Sequence, residues 1–271
     1  MENITEVFEF YNNGAEINRL ERGLGIIEFY RSKEIISQYI GKNKTVYDIG
    51  GGIGMYSEWL ADLGHAVTLI ELAPAAVEYA MANMKTPYNA EVGDARSIDK
   101  PDESADIVLL MGPLYHLHNK DERIKVLSEA NRVLKKGGLL FAAGISKFSS
   151  TTWALSVYGN GCDFIDDDVY FKMLMTELAT GEHHRPKEYP FIIANAYFHT
   201  IYKLRDEISA CGFEIKDSRA VEGCIWFTPK LDEKWQDENS RERLLKIIRA
   251  TEREDTLMGM SPHIMAVAEK K

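Results

Sequence analysis

Four glycines, Gly50, Gly51, Gly52 and Gly54, follow directly on the apolar run 45–49, and three carboxylates, Asp48, Glu71 and Asp94, are spaced so that each falls at the end of a strand. Glycine reaches positive φ at little cost and has no Cβ, so the chain turns sharply and a ligand can lie against the backbone. The amides opening the next helix face that same ligand. This is the strand, glycine turn and helix of a nucleotide site. Glu71 lies 21 residues after Gly50 (71 − 50), where a carboxylate at the tip of a second strand can accept both ribose hydroxyls. Three carboxylates at neighbouring strand ends suit a cationic ligand carrying a ribose. They suit a pyrophosphate poorly, because it wants positive charge. A second group of reactive side chains follows a fourth strand, in the run Gly112-Pro113-Leu114-Tyr115-His116-Leu117-His118. Imidazoles titrate near neutral pH and can take a proton from a nucleophile. His116, His118 and His199 are therefore candidate bases, with Tyr115 as an orienting group. His116 leads because it stands just past strand four, and its competing role is packing or capping.

These residues need a scaffold. Apolar spacing predicts strands at 45–49, 66–70, 90–92, 106–111 and 139–145, separated by helices at 56–63, 74–84 and 121–134. Pro74 suits a first helical turn, and Lys135-Lys136-Gly137-Gly138 closes the third of these helices. Alternation of this kind makes a doubly wound, mostly parallel α/β sheet. Residues 3–40 read as an N-terminal helical flank or lid ending at Gly41, from which Tyr11, Arg19, Tyr30 and Arg31 are placed to face a ligand unless they merely line a wet helix face. The rhythm breaks over 147–198, which reads as a cap inserted over the sheet. Its run Asp166-Asp167-Asp168 fits a helix N-terminus better than a metal site. His183-His184 fits an exposed loop. Aromatics such as Trp153, Phe164, Tyr170, Tyr189 and Phe191 either roof an apolar pocket or make the cap's own core. Alternation then resumes with a helix at 199–211, a strand at 213–221, a charged helix at 232–256 and a strand at 263–268.

The 271 residues suit a single domain, 1–271, with an inserted cap. A net charge of −10 argues against a nucleic-acid partner. The three cysteines, Cys162, Cys211 and Cys224, have no metal or CxxC spacing and read as reduced thiols of a cytoplasmic protein. No run is long enough to span a membrane and no leader is evident. No metal constellation is visible, and a monomer or homodimer is expected.

Taken together, Val46-Tyr47-Asp48-Ile49-Gly50-Gly51-Gly52-Ile53-Gly54, Glu71, Gly93-Asp94-Ala95 and Leu134-Lys135-Lys136-Gly137-Gly138 make the chain resemble a class I S-adenosylmethionine-dependent methyltransferase. The runs 112–117 and 261–265 resemble a small-molecule subgroup of it. The resemblance implies a seven-stranded Rossmann-like sheet of order 3-2-1-4-5-7-6 with the last strand antiparallel. It implies S-adenosyl-L-methionine as cofactor and S-adenosyl-L-homocysteine as product. Gly50, Gly51 and Gly52 would cradle the methionine part, Asp48 would help hold its ammonium and Glu71 the ribose. Leu72 would lie on the adenine, Asp94 and Ala95 would meet its edge, and Met111 and Gly112 would line the strand-four side. The acceptor would be O, N, C or S of a small organic metabolite. Two other readings use the same residues: a nicotinamide-dependent oxidoreductase, which Glu71 permits, and a non-catalytic cofactor-binding module.

Overall fold

The computed structural model describes residues 17–271. Along the chain run α1 (Leu24–Ser37), β1 (Thr45–Ile49), α2 (Met55–Asp62), β2 (Ala66–Glu71), α3 (Pro74–Asn83), β3 (Asn89–Val92), β4 (Ala105–Leu110), α4 (Lys120–Val133) and β5 (Leu134–Ile145). Then come α5 (Ser149–Val157), α6 (Asp168–Thr180), the two-residue strands β6 (Glu182–His183) and β7 (Ala196–Tyr197), α7 (Ile201–Ala210) and β8 (Phe213–Ala220). The chain closes through α8 (Leu231–Gln236), α9 (Glu238–Thr251), α10 (Asp255–Met258) and β9 (His263–Lys270). The main sheet has the order β3-β2-β1-β4-β5-β9-β8, and β6-β7 form a separate hairpin. Only β9 runs against its neighbours. With the hairpin set aside, β8 and β9 are the sixth and seventh strands of the expected order.

Period-two alternation assigns each strand residue to one of two cores. Tyr47, Ile49, Val108, Leu110, Leu140 and Ala142 pack against Val126, Leu127 and Ala130 of α4 and Leu204 and Ile208 of α7. Val46, Val67, Ile107, Leu109 and Phe141 pack against Ile35 and Ile36 of α1 and Tyr56 and Leu60 of α2. A sheet covered on both sides leaves only its carboxyl edge for a ligand.

Several boundaries differ from the sequence reading. Of the helix expected over 3–40, the described residues form a helix at Leu24–Ser37, with a short 3-10 turn at Arg19–Glu21 before it. Gly23, at φ +52°, separates the two. Residues 3–16, and with them Tyr11, lie outside the described residues. Arg31 is buried and faces no ligand: it donates to Val221 O at 3.3 Å and pairs with Glu34 and Glu252. Tyr30 packs edge-on against Trp235 at 5.6 Å. Strand β5 begins directly at Leu134, and Lys135 to Gly138 form a register shift against β4 rather than a loop. The charged helix expected over 232–256 is cut in three, because Asp237 turns to cap α9 and accepts from Ser240 N at 2.8 Å. Asp167 caps α6 by accepting from Val169 N and Tyr170 N, so the acidic run is a helix start. His183 is no exposed loop residue. It is buried, 2.6 Å from Glu177 Oε1, with Phe198 stacked on its ring.

One buried charge cluster fixes the segment after β4. Arg123 donates to both oxygens of Glu207 at 2.9 and 2.7 Å and to the carbonyls of Leu117 and His118 at 2.8 and 2.7 Å. Burial pushes the Glu207 carboxyl up, but Arg123 and His199 outweigh it and lower it to about 2. A carboxylate held below its unfolded value stabilises the fold above that value and stops doing so as pH falls through the folded one. Glu207→Gln is therefore expected to flatten the fall of melting temperature between pH 4.5 and about 2, by on the order of 2 kcal/mol of unfolding free energy. An acid limb identical to that of the wild type would contradict the assignment.

Candidate cofactor and acceptor site

The glycine turn is shaped by what stands behind it. Gly50, Gly52 and Gly54 have φ of +67°, +58° and +82°, a region L side chains avoid. A Cβ on Gly50 would lie 2.5 Å from Pro113 Cγ, one on Gly51 would enter the Asp48 carboxylate, and one on Gly54 would strike the Tyr88 hydroxyl. Gly50 N donates to Ile70 O at 2.7 Å, which ties the turn to the end of β2. Helix α2 starts one residue later, at Met55.

Above this turn lies a cleft of about 1030 Å³, open solvent at its mouth included. Of the ten residues expected to meet the cofactor, nine line it: Gly50, Gly51, Gly52, Glu71, Leu72, Asp94, Ala95, Met111 and Gly112. Glu71 is buried at the tip of β2. Its Oε2 accepts from Gly52 N at 3.0 Å and its Oε1 from Ala73 N at 2.9 Å. Both oxygens are thus aimed by backbone amides before any hydroxyl arrives.

Asp48 is the exception. It is fully buried behind Gly51, does not line the cleft, and accepts from Ser57 Oγ at 2.7 Å. Its Oδ1 has no hydrogen-bond partner, and burial raises the carboxyl to about 6. In the structure it braces the turn from behind rather than lining the cleft, where it was expected. The reason is depth along the strand: Asp48 pairs with Leu69, two residues short of Glu71 on the same face, and points toward Ser57 of α2 beneath the turn.

Asp94 lines the cleft but is already engaged. Arg96 donates to it from the backbone N at 2.9 Å and from Nε at 3.0 Å, and Nη1 of Arg96 also reaches Glu122 at 2.7 Å. Burial raises the Asp94 carboxyl, and the Arg96 hydrogen bonds more than reverse that. Asp94→Ala removes a cleft acceptor and frees Arg96, so S-adenosylmethionine binding is expected to weaken by ~1–3 kcal/mol in calorimetry. Unchanged affinity would take Asp94 out of the site.

The candidate bases separate clearly. His116 and Tyr115 line the cleft, and His118 and His199 do not. The Tyr115 hydroxyl donates to Met111 O at 2.9 Å, so it fixes the turn after β4. His199 is fully buried, 3.4 Å from Glu207 Oε2 and edge-on to Tyr197 at 4.7 Å, and belongs to the Arg123 cluster. His118 lies edge-on to His184 at 5.0 Å. Burial pushes His116 down to about 3, helped by the Arg19 charge. It is a neutral imidazole near pH 7 and a weak base, contrary to the expectation of near-neutral titration. The cap aromatics line none of this cleft. Trp153 stacks on Phe164 at 5.4 Å, and Tyr170 meets Tyr189 at 5.2 Å, so these rings build the cap's own core.

Sequence reasoning missed Arg96, Tyr56, Pro113 and Leu117 among the lining residues. Arg96 had a signal, a cation two residues past a key carboxylate. Glu28, Glu222 and His263 were also missed. They are the grouping of metal-ligand type among the described residues. Their atoms are already held by protein donors: Arg19 to Glu28 at 2.7 Å, and Ser261 Oγ and His263 N to Glu222 at 3.0 Å each.

A doubly wound sheet with a glycine cradle and strand-end carboxylates at its carboxyl edge defines a class of α/β proteins that hold a nucleoside cofactor across the switch point. Residues 47–142 match the family model of a methyltransferase domain. The chain is 31% identical over 134 residues to a ubiquinone biosynthesis O-methyltransferase of Paramagnetospirillum magneticum, covering 48% of this chain and 51% of that one. It is 26% identical over 150 residues to a ubiquinone/menaquinone biosynthesis C-methyltransferase of Acidiphilium cryptum, covering 53% and 59%. The chain spans about half the length of the curated relatives it matches. Among solved structures, an S-adenosylmethionine-dependent methyltransferase of Methanosarcina mazei superposes with TM-score 0.58 at 22% identity, over 87% of this chain and 96% of that one. One from Mesorhizobium loti gives TM-score 0.60 at 14% identity, over 90% and 100%. These two likenesses are of fold. Residues 47–142 are thus similar to a methyltransferase domain, and the fold is that of the S-adenosylmethionine-dependent methyltransferases on which the chain superposes; S-adenosylmethionine is the cofactor those proteins are named for. The cradle fits it: glycines whose Cβ positions are taken by neighbours and a carboxylate aimed by two amides suit a ribose and a cationic tail.

Proposed function

We propose that this protein transfers a methyl group from S-adenosylmethionine to O, N, C or S of a small organic molecule. The observation that supports this most is Glu71, whose two oxygens are aligned at the cleft by Gly52 N and Ala73 N. Gly50 to Gly52 would hold the methionine part, Leu72 and Ala95 would flank the adenine, and Asp94 with Arg96 would close that end. Bound there, the cofactor supplies an electrophilic methyl on a cationic sulfur. The protein's own contribution is positioning, since in-line transfer depends on holding nucleophile and carbon ~3–3.5 Å apart. Met111, Gly112, Tyr115 and His116 line the cleft and would form the wall on the acceptor side. The segment 147–198 would support that wall from behind, through Ala196 and Phe198 packed against Tyr115.

The quinone-pathway relatives make ring-bearing acceptors the first set to try, with transfer of a labelled methyl group as the readout. Turnover on a phenol or quinol would support the reading, and binding of cofactor with no transfer to any of a broad panel would favour a non-catalytic module. His116→Ala is expected to lower turnover about tenfold, as for a lost positioning contact, with cofactor affinity kept. Wild-type turnover in that variant would remove His116 from the acceptor wall.

A further inference from the structure

The Asp94 end of the cleft is built from one turn and the helix behind it. After β3 and Gly93 the chain doubles back, with Ser97 N donating to Asp94 O at 2.9 Å. Arg96 is thereby folded onto Asp94. Arg96 N and Nε donate to Asp94 Oδ1 at 2.9 and 3.0 Å, and Nε and Nη2 reach Oδ2 at 3.1 and 2.5 Å. Both carboxylate oxygens are held by one residue. Its remaining nitrogen, Nη1, donates to Glu122 Oε1 at 2.7 Å. Glu122 stands in the first turn of α4, and that helix start is fixed twice. Asn119 Oδ1 accepts from Asp121 N at 2.7 Å, and Arg123, next to Glu122, donates to the carbonyls of Leu117 and His118. Asp94 and Arg96 line the cleft, and Glu122 does not.

These contacts set both the capacity and the charge of Asp94. A carboxylate accepts about four hydrogen bonds, so three N–H groups of Arg96 leave it able to take a further donor from a ligand. Burial alone raises the half-buried Asp94 carboxyl toward its neutral acid, and the Arg96 hydrogen bonds reverse this and hold it below the usual carboxylate value. A ligand laid against it excludes more water and adds to the burial effect. The charged groups that act on Asp94 are Arg96 from its own turn and, through Arg96, Glu122 from α4. The charge decides what is recognised. An ionised carboxylate only accepts, so it takes an amine and repels a carbonyl oxygen. A neutral acid carries an O–H that can donate to the carbonyl, so it no longer tells the two apart. Glu122 matters for a related reason. A guanidinium free to leave Asp94 would itself donate to a carbonyl on the base, and the Nη1–Glu122 bond holds it back.

We propose that Arg96, anchored by Glu122, makes the site specific for a 6-aminopurine over a 6-oxopurine: it keeps Asp94 an acceptor for the exocyclic amine, and Glu122 keeps Arg96 from serving a carbonyl in that place. This rests on the methyltransferase reading for the identity of the ligand. Arg96 is a specificity residue of the cleft. Glu122 is a positioning residue, acting through Arg96 on Asp94.

The test is calorimetry of the whole protein with S-adenosylhomocysteine and its deaminated counterpart, S-inosylhomocysteine, at about pH 7.5 and about pH 5, above and near the carboxylate range. The wild type is expected to prefer the adenine form at least about tenfold at both. In Arg96→Gln nothing offsets the burial of Asp94, so its carboxyl takes up a proton at higher pH, and the preference is expected to fall to about threefold or less at the lower pH. Arg96→Lys keeps a cation and should restore part of it. Glu122→Gln should narrow the preference about fivefold with Arg96 still in place. A merely structural role would lower both affinities together and leave their ratio, and its pH dependence, as in the wild type. That result in Arg96→Gln, or a wild type that binds the two nucleosides equally, would overturn the proposal and leave the cofactor site standing. A wild type that binds neither would end the methyltransferase reading, and the proposal with it.

Discussion

Gly51→Ala is expected to abolish measurable S-adenosylmethionine binding, a loss of at least about 100-fold. The added Cβ would enter the Asp48 carboxylate, with Cγ at 2.5 Å and Oδ1 at 2.7 Å. Real contacts of this kind are not tolerated, so either the turn or Asp48 must move. Asp48 has nowhere to go: it is fully buried and held by Ser57. The turn is then the part that yields, and it yields outward, into the cleft. Cofactor affinity by calorimetry and a thermal melt separate the two costs, local distortion and lost stability. Wild-type affinity in a folded Gly51→Ala protein would show that the turn does not form the cradle.

Glu71→Ala is the second large effect, an expected weakening of cofactor binding by ~3–4 kcal/mol. Two losses add. The hydroxyls of a bound ribose lose a charged acceptor, worth roughly 1.5–3 kcal/mol per hydrogen bond. The amides of Gly52 and Ala73, now partnered at 3.0 and 2.9 Å, are left to reorganise. Glu71→Gln should fall between, since its amide oxygen serves one of the two backbone donors and its nitrogen repels the other. Equal affinities for Glu71→Ala and wild type would mean that the ribose lies elsewhere.

The fold was legible because its elements are short and punctuated. Apolar runs such as 105–110, each bounded by glycine, proline or charge, mark strands buried on both faces, whereas the sheet order was implied by the family resemblance and not by those runs. The glycine cradle was legible because four glycines within five residues mark a sharp strand-to-helix turn with the backbone open to a ligand; that Pro113, Asp48 and Tyr88 fill the space a Cβ would take was not. Directions within the site were harder. Of Asp48, Glu71 and Asp94 only the last two reach the cleft; Asp48 and Glu71 share a sheet face, and it is the register that tells them apart, since Asp48 pairs with Leu69, two residues short of the tip of β2. His199 looked reactive because it opens a helix after the cap. Its burial beside Glu207 depends on Arg123, 76 residues earlier (199 − 123), a pairing no local pattern encodes. The partnership of Arg19 with Glu28, His263 and Glu222 is likewise tertiary. It joins the N-terminal segment to the edge of the sheet formed by the last two strands.

The central claim is that the Gly50–Gly52 turn with Glu71 and Asp94 is an S-adenosylmethionine site. Titration calorimetry of the purified protein with S-adenosylmethionine, S-adenosylhomocysteine and NADH addresses it most directly. Micromolar binding of the first two, lost in Glu71→Ala, with none of NADH, is the expected result. Binding of NADH alone would contradict it, and the oxidoreductase reading of the same glycine turn would take its place.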